Sequence, residues 1–289
     1  MIGARPSQED ALATYRRGTG RFGRTLDYYC KVGSTNDLAL EAGRRGAPEG
    51  LVIVADEQIT GRGRLQRRWE APLGTSLLLS IIFRPPEPFA FYAARATMVC
   101  GLALVSAVRA ETGVAARLKW PNDLIVDRVT RGKAAERRTL AGWRKLAGML
   151  SELGMEAGGP AYLVVGVGLN VNVPTDLLPR LAPYATSLLA LTGQSVDRVA
   201  LLDRLLVGVE SRYEALLAGT DPLPAWQAAL AWMGEVVEVR TPAETVTGVA
   251  KGVDEEGALV LRVSDSEVRR FSAGDVSLRP ARSARFSQT

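Results

Sequence analysis

The chain has 289 residues, enough for one substantial core and a small additional domain, and 47% of them are apolar against 23% charged. It contains no histidine, which excludes Ser-His-Asp and Cys-His catalysis and every His-ligated metal site. Cys30 and Cys100 are too few for a disulfide scaffold or a four-thiolate zinc centre, which points to a reducing cytoplasm, and the formal charge of +5 fits either nucleic acid or an anionic small substrate.

Residues 1–10 have neither an apolar core nor a cleavage pattern, so secretion is not expected. Residues 1–25 are polar and weakly patterned, and poor order is expected there. Ser34 is placed to cap a helix running to about Gly43, with Asp37 at the capping-box position. Gly46, Pro48 and Gly50 make a turn before a strand at 51–55; a loop follows over 56–74. Residues 75–84 read as a strand ended by Pro85, Pro86 and Pro88. Residues 93–112 have the period of a core helix. The longest nearly uncharged run, 97–108, falls short of the roughly 18 residues a membrane span needs, so no membrane is expected. Strand pieces at 117–120 and 124–126 precede a charged insertion at 128–143, then strands at 145–153 and 161–173, then a helical region to about Trp232. From Gly234, five short β runs (235–240, 245–251, 258–263, 267–271 and 275–278), with a hairpin loop at 254–257, predict a small SH3-like barrel. The expected domains are 1–233 and 234–281, with a tail at 282–289.

Five short stretches are suited to chemistry. Gly61-Arg62-Gly63-Arg64 combines close backbone approach with planar cationic donors, as a phosphate and a carboxylate held side by side require; a basic surface turn has the same composition. In Lys119-Trp120-Pro121-Asn122-Asp123 the proline interrupts strand pairing, so Asn122 and Asp123 stand at a strand end. Lys119 is placed to meet a phosphate and Asp123 to hold Mg²⁺, or the pentapeptide is a capped turn with Trp120 in the core. Lys145 precedes the apolar strand containing Gly148, where it either reaches solvent or offsets charge as a carboxylate attacks a phosphate. The alternating glycines of 166–172 strip one strand face of side chains, leaving a slot for a flat ligand or for close helix packing, with Asn170 able to read an adenine edge. Ser34, Thr35 and Asn36 at a helix start suit a ureido-like group as well as capping.

The order of these stretches, from STN through DEQITGRGR with a following Trp, KWPND, KLAGML and GVGLNVN to a small β tail, resembles the biotin–protein ligase family over about 34–280. The resemblance implies an α+β fold: a mixed β-sheet flanked by helices, class II synthetase-like, with a C-terminal SH3-like β-barrel. It implies ATP and biotin as substrates with Mg²⁺, and a biotin carboxyl carrier domain as acceptor, with a homodimer as a further expectation. By matched position, Ser34, Thr35, Asn36, Gln58, Gly61, Arg62, Gly63, Arg64, Trp69, Lys145, Gly148 and Gly166 would bind biotin. Arg64, Lys119, Asn122, Asp123, Lys145 and Asn170 would bind ATP or the adenylate; Lys145, Arg64 and Arg62 would be catalytic.

Three departures accompany the resemblance. The family usually carries Gly where this chain has Gln66. A left-handed backbone there would cost about 1 kcal/mol or more, so the loop is expected to take its own path, and Gln66→Gly is expected to leave adenylation intact. The basic segment 127–144 is longer than in shorter members and is expected to form a flap that meets an acidic carrier domain. No helix-turn-helix pattern precedes Ser34, so DNA binding and repression are not expected. The rival readings are a lipoate–protein ligase and, further off, a nucleic-acid-binding protein. Tyr184 is a candidate to stack on adenine.

Overall fold

The computed structural model describes residues 8–65, 67–127, 142–272 and 277–280. Gln66, most of the basic insertion and the C-terminal tail lie outside the described residues, and with them the expectations placed there.

The chain opens with helix α1 (Gln8–Thr14), where weak order was expected. Leu12 and Phe22 are buried, and the Phe22 ring lies 4.9 Å from Phe83 and 5.4 Å from Tyr213, centroid to centroid. Two apolar residues ten apart carry no readable period. They are held by a core built from strands and helices far along the chain.

A seven-stranded sheet forms the larger, N-terminal part of the fold. Its strands are β1 (Leu26–Val32), β2 (Val52–Gln58), β3 (Ser76–Phe83), β4 (Arg117–Lys119), β5 (Asp123–Asp127), β6 (Trp143–Glu156) and β7 (Gly159–Asn170). Their spatial order is β1-β2-β3-β7-β6-β5-β4; β1 and β2 are parallel and every other pair is antiparallel. This is the mixed sheet expected. Because side chains alternate across a strand, successive residues of β2, β3 and β7 serve two different layers. Ile53, Ile82, Tyr162 and Val164 pack with Ala39 of helix α2 (Thr35–Arg44). Val52, Val54, Leu79, Ile81 and Val165 pack in the larger core with helices α3 (Phe89–Thr112) and α6 (Arg198–Leu217). Two-sided burial is why β3 is buried at all eight positions, where one-sided alternation would leave half exposed.

Helix α3 has 24 residues, twice the run counted from sequence, and by length and composition it could cross a membrane. In the fold 61% of its most apolar window is buried, with Val99, Cys100, Ala103 and Leu104 at the centre of the core. Short helices α4 (Leu178–Leu181) and α5 (Leu188–Thr192) precede α6, and α7 (Leu223–Ala229) follows it, with Pro222 at its N-cap.

The C-terminal runs form one antiparallel sheet of β8 (Val236–Arg240), β9 (Thr245–Val253), β10 (Leu259–Arg262), β11 (Val268–Phe271) and β12 (Ser277–Pro280), ordered β11-β10-β9-β8-β12. Its β9–β10 loop is fastened to the N-terminal part. Trp120 Nε1 donates to the Gly257 carbonyl at 3.0 Å, and Arg95, which is buried and paired with Asp221, donates to the Glu255 carbonyl.

Candidate active site

A cavity of about 430 Å³, the size of a small-molecule site, opens on the α2 face of the sheet, beyond that helix's N-terminus. Strand alternation puts Tyr162, Val164, Gly166, Gly168 and Asn170 of β7 on one face. The first two lie under α2. The rest continue past its N-terminus, where the glycines let Asn36 and Trp69 lie close on the strand. Gly168 stands opposite Gly148 of β6, and Gly148 opposite Asp123 of β5, so the floor runs directly into a charged strand end.

One end of the cavity is a closed amide and hydroxyl network. Gln58 Oε1 accepts from Thr35 N at 2.8 Å and from Thr35 Oγ1 at 3.1 Å. Ser80 Oγ lies 2.8 Å from Thr35 Oγ1 and donates to Asn36 Oδ1 at 2.6 Å. Asn36 Nδ2 donates to Leu150 O at 3.2 Å and Glu152 Oε2 at 2.7 Å. Asn36 was expected to contact the ligand directly; its amide is instead fully used by the protein, and Gly166 is needed because an added Cβ would meet Asn36 Oδ1 at 2.1 Å. The N-cap position of Ser34 is as expected, but its side chain makes no cap bond and Asp37 forms no capping box, being paired with Arg62 instead. The Ser34 hydroxyl therefore remains available to a ligand.

The GRGR stretch is a tight hairpin. Trp69 N donates to Gly61 O at 2.8 Å and Gly63 N to Arg67 O at 2.7 Å. A Cβ on Gly61 would meet Trp69 O at 2.4 Å, so that position requires glycine. The left-handed residue in the described part of this loop is Leu65, at φ 60°. The hairpin lays the Trp69 ring over the glycine floor, where a Cβ on Gly168 would come within 2.5 Å of it.

The other end carries the charge. Asp123 sits between two ammonium groups, Lys145 Nζ at 2.6 Å and Lys119 Nζ at 3.1 Å. Burial raises the Asp123 carboxyl, but the charges of Lys119 and Lys145 outweigh it and hold the group down at about 2. Burial lowers the Lys119 ammonium despite Asp123 beside it, and the Trp143 ring covers it at 5.2 Å. Two cations share one anion, so the cluster keeps a net positive charge for an anionic ligand. Arg64 Nη1 reaches Asn122 Oδ1 at 3.3 Å on the same wall, and Arg279 of β12 joins the lining. Arg64 and Lys145 thus share one cavity, as the chemistry requires.

Two of the expected site residues have protein partners of their own. Arg62 was expected to act with Lys145 on the reacting groups. Its guanidinium instead pairs with Asp37 and with Glu152 Oε2 (3.1 Å), and Glu152 stands roughly 13 Å along β6 from Gly148 at ~3.3 Å per residue, at the network end. Asp123 was expected to hold Mg²⁺. A hard dication wants several oxygen donors, whereas each Asp123 oxygen faces an ammonium group, and no cluster of three acidic or thiol ligands exists among the described residues. This donor set does not fit a protein-held Mg²⁺. Tyr184, expected to stack on adenine, stacks on Trp143 with centroids 5.0 Å apart, and Trp143 also packs edge-on to Trp232.

Ser80, Glu152, Trp143 and Arg279 were missed from the sequence. Ser80 had a signal, a hydroxyl in the middle of the apolar run LLLSIIF; Glu152, Trp143 and Arg279 had none. Two buried polar atoms at the slot lack protein partners: Trp69 Nε1 and Asn170 Oδ1, the latter on an amide whose Nδ2 donates to Thr186 O at 3.0 Å. A polar ligand in the slot would satisfy both atoms.

A cavity with an amide-rich end, a glycine floor and a cationic end, on a mixed sheet with an appended β domain, is a small-molecule site suited to an anionic ligand. Residues 28–170 match the Biotin/lipoate A/B protein ligase family, and residues 233–279 match the biotin protein ligase C-terminal domain. The biotin–[acetyl-CoA-carboxylase] ligase of Mycobacterium tuberculosis is 34% identical over 94% of this chain and 95% of its own length. The corresponding ligase of Paracoccus denitrificans is 34% identical over 80% of this chain and 92% of its own. The solved structure of the Aquifex aeolicus biotin protein ligase in complex with biotin and ATP has a TM-score of 0.70 at 25% identity, covering 89% of this chain and all of that one. The chain belongs to the biotin protein ligase family, and a lipoate ligase is not favoured.

Proposed function

We propose that the chain condenses biotin with ATP to biotinyl-5'-AMP, releasing pyrophosphate, and then transfers the biotin to a lysine of a biotin carboxyl carrier domain in the cytoplasm. The observation that carries this reading is the net-positive Lys119–Asp123–Lys145 cluster at the end of a glycine-floored slot whose other end is a hydroxyl and amide network. Ser34 and the Nε2 group of Gln58 are the polar groups there left for the ureido end. The flat rings lie against the Trp69 indole, which itself rests on Gly148 and Gly168. A carboxylate oxygen of biotin attacks the α-phosphorus, and the bond to the pyrophosphate oxygen breaks. The two reactants are both anions, so their approach is costly without fixed positive charge. Lys145 and Arg64 supply it where the new bond forms, and Lys119 and Arg279 face the remaining phosphates. Asn170 Oδ1 accepts from the adenine amino group. Mg²⁺ enters with ATP, on its phosphates. In the second step the neutral amine of the acceptor lysine attacks the acyl carbon, and AMP leaves with the bonding electrons.

The domains follow: residues 1–233 carry the chemistry, and 234–281 form an SH3-like unit that contributes Arg279. Incubation of the purified chain with ATP, Mg²⁺ and biotin, read by mass spectrometry, is expected to yield biotinyl-AMP and stoichiometric pyrophosphate, with lipoate giving neither. Absence of biotin-dependent pyrophosphate release refutes the reading.

A further inference from the structure

Arg62, placed away from the reacting end, leaves a question of what its two ion pairs are for. Its partners differ in kind. Asp37 is an exposed helix residue whose side chain is 55% accessible. Glu152 is 24% accessible, and the same oxygen, Oε2, accepts from Arg62 Nη2 at 3.1 Å and from the buried Asn36 Nδ2 at 2.7 Å. Asn36 continues through Ser80 and Thr35 to Gln58. Gln58 ends β2, and the chain returns from it through Gly61 to Arg62 in four residues. The result is a closed circuit: loop, Arg62, Glu152, Asn36, Ser80, Thr35, Gln58 and loop again. Every link but one lies within the buried network or along the backbone. Glu152 is the link that joins the network to the loop.

This arrangement has a mechanical consequence. The loop hairpin carries Arg64 and Trp69, which cover the slot; beyond its internal bonds it is tied down at the cationic end by Arg64 to Asn122 and at the network end by the Arg62 pairs. Hydrogen bonds to a charged group, partly screened from water, are strong enough to hold such a hairpin down. We propose that Glu152 is a positioning residue that holds the Arg62 loop closed over the network end of the slot, and so governs how tightly biotin and its adenylate are retained and not how fast the bond to phosphorus forms. This rests on the activity proposed above. Glu152 touches neither reactant; it acts through Arg62.

The test compares wild type, Glu152→Gln, Arg62→Gln and the double variant. Biotin affinity is measured by calorimetry without ATP, adenylate retention by the rate at which preformed biotinyl-AMP leaves the enzyme, and turnover by pyrophosphate release at saturating biotin. Glu152→Gln is expected to weaken biotin binding and to speed adenylate loss by about fivefold each, with kcat within about twofold of wild type. In the Arg62→Gln background the same substitution is expected to change neither, because the link is already cut. Equal losses in both backgrounds, or a fall in kcat with unchanged affinity, overturn the proposal. Should Glu152→Gln fail to fold, the exposed Asp37→Asn pulls on the same guanidinium and is expected to give a loss of about twofold in the same direction; no change there overturns it as well. A wild-type chain that makes adenylate while its folded Glu152→Gln variant retains it equally well sinks the positioning role alone. A wild type that binds no biotin sinks the activity reading, and this one with it.

Discussion

Asp123→Asn is the substitution whose effect follows most directly from the site. The carboxylate is 13% accessible and lies within 3.1 Å of two ammonium groups, so little water screens it. Moving its carboxyl from the ordinary 3.8 to about 2 corresponds to about 2 kcal/mol of stabilisation in the folded state. Asparagine keeps the shape and removes the charge, leaving Lys119 and Lys145 facing each other. The variant is expected to unfold about 2–3 kcal/mol more easily at pH 7, at or just below the low end of the roughly 3–5 kcal/mol for breaking a buried pair. The sign of its pH dependence is fixed. A carboxyl depressed in the folded state contributes fully above its unfolded value, near pH 4, and its contribution fades as pH falls towards about 2. The gap between wild type and variant should therefore be widest at neutral pH and close between about pH 4 and 2. Urea titrations followed by tryptophan fluorescence across that range measure it. A gap below about 0.5 kcal/mol at pH 7, or one that persists unchanged at pH 2.5, refutes the idea that this carboxylate holds the two lysines together.

Three further outcomes are expected. Gly168→Ala sets a methyl within 2.5 Å of the Trp69 ring and displaces it from the floor, so adenylate formation should fall by about ten- to a hundredfold, read by pyrophosphate release, with thermal stability little changed. Arg279→Ala should raise the KM for ATP by about fivefold and leave that for biotin unchanged, because the residue lines only the cationic end. Phe22→Ala removes a fully buried ring held between Phe83 and Tyr213 and should cost about 3–5 kcal/mol in urea unfolding, in a segment whose sequence shows no pattern.

Local chemistry made part of this protein legible before any fold was known. Glycine at 61, 148, 166 and 168 and the cations at 64, 119 and 145 mark a slot with a charged end, because glycine and fixed charge act through backbone access and Coulomb attraction that any sequence displays. The strands and the core helix were readable for the same reason: their apolar spacing is a property of neighbours in the chain. Lengths were less so. β6 extends from Trp143 to Glu156 because β7 pairs with it throughout, and pairing is not written in either strand alone.

Assignments that depend on residues distant in sequence were decided by the tertiary structure. Arg62 and Arg64 stand two apart in one motif, yet they serve opposite ends of the cavity, since Asp37 and Glu152 claim one and Asn122 the other. Asp123 looked like a metal ligand until Lys119 and Lys145 were found on its two oxygens. Asn36 looked like a ligand contact until Ser80, Leu150 and Glu152 used up its amide. A side chain's type fixes which bonds it can make. Which of them it does make depends on the partners the fold brings within about 3 Å, and for Asn36 the farthest of those lies 116 residues away.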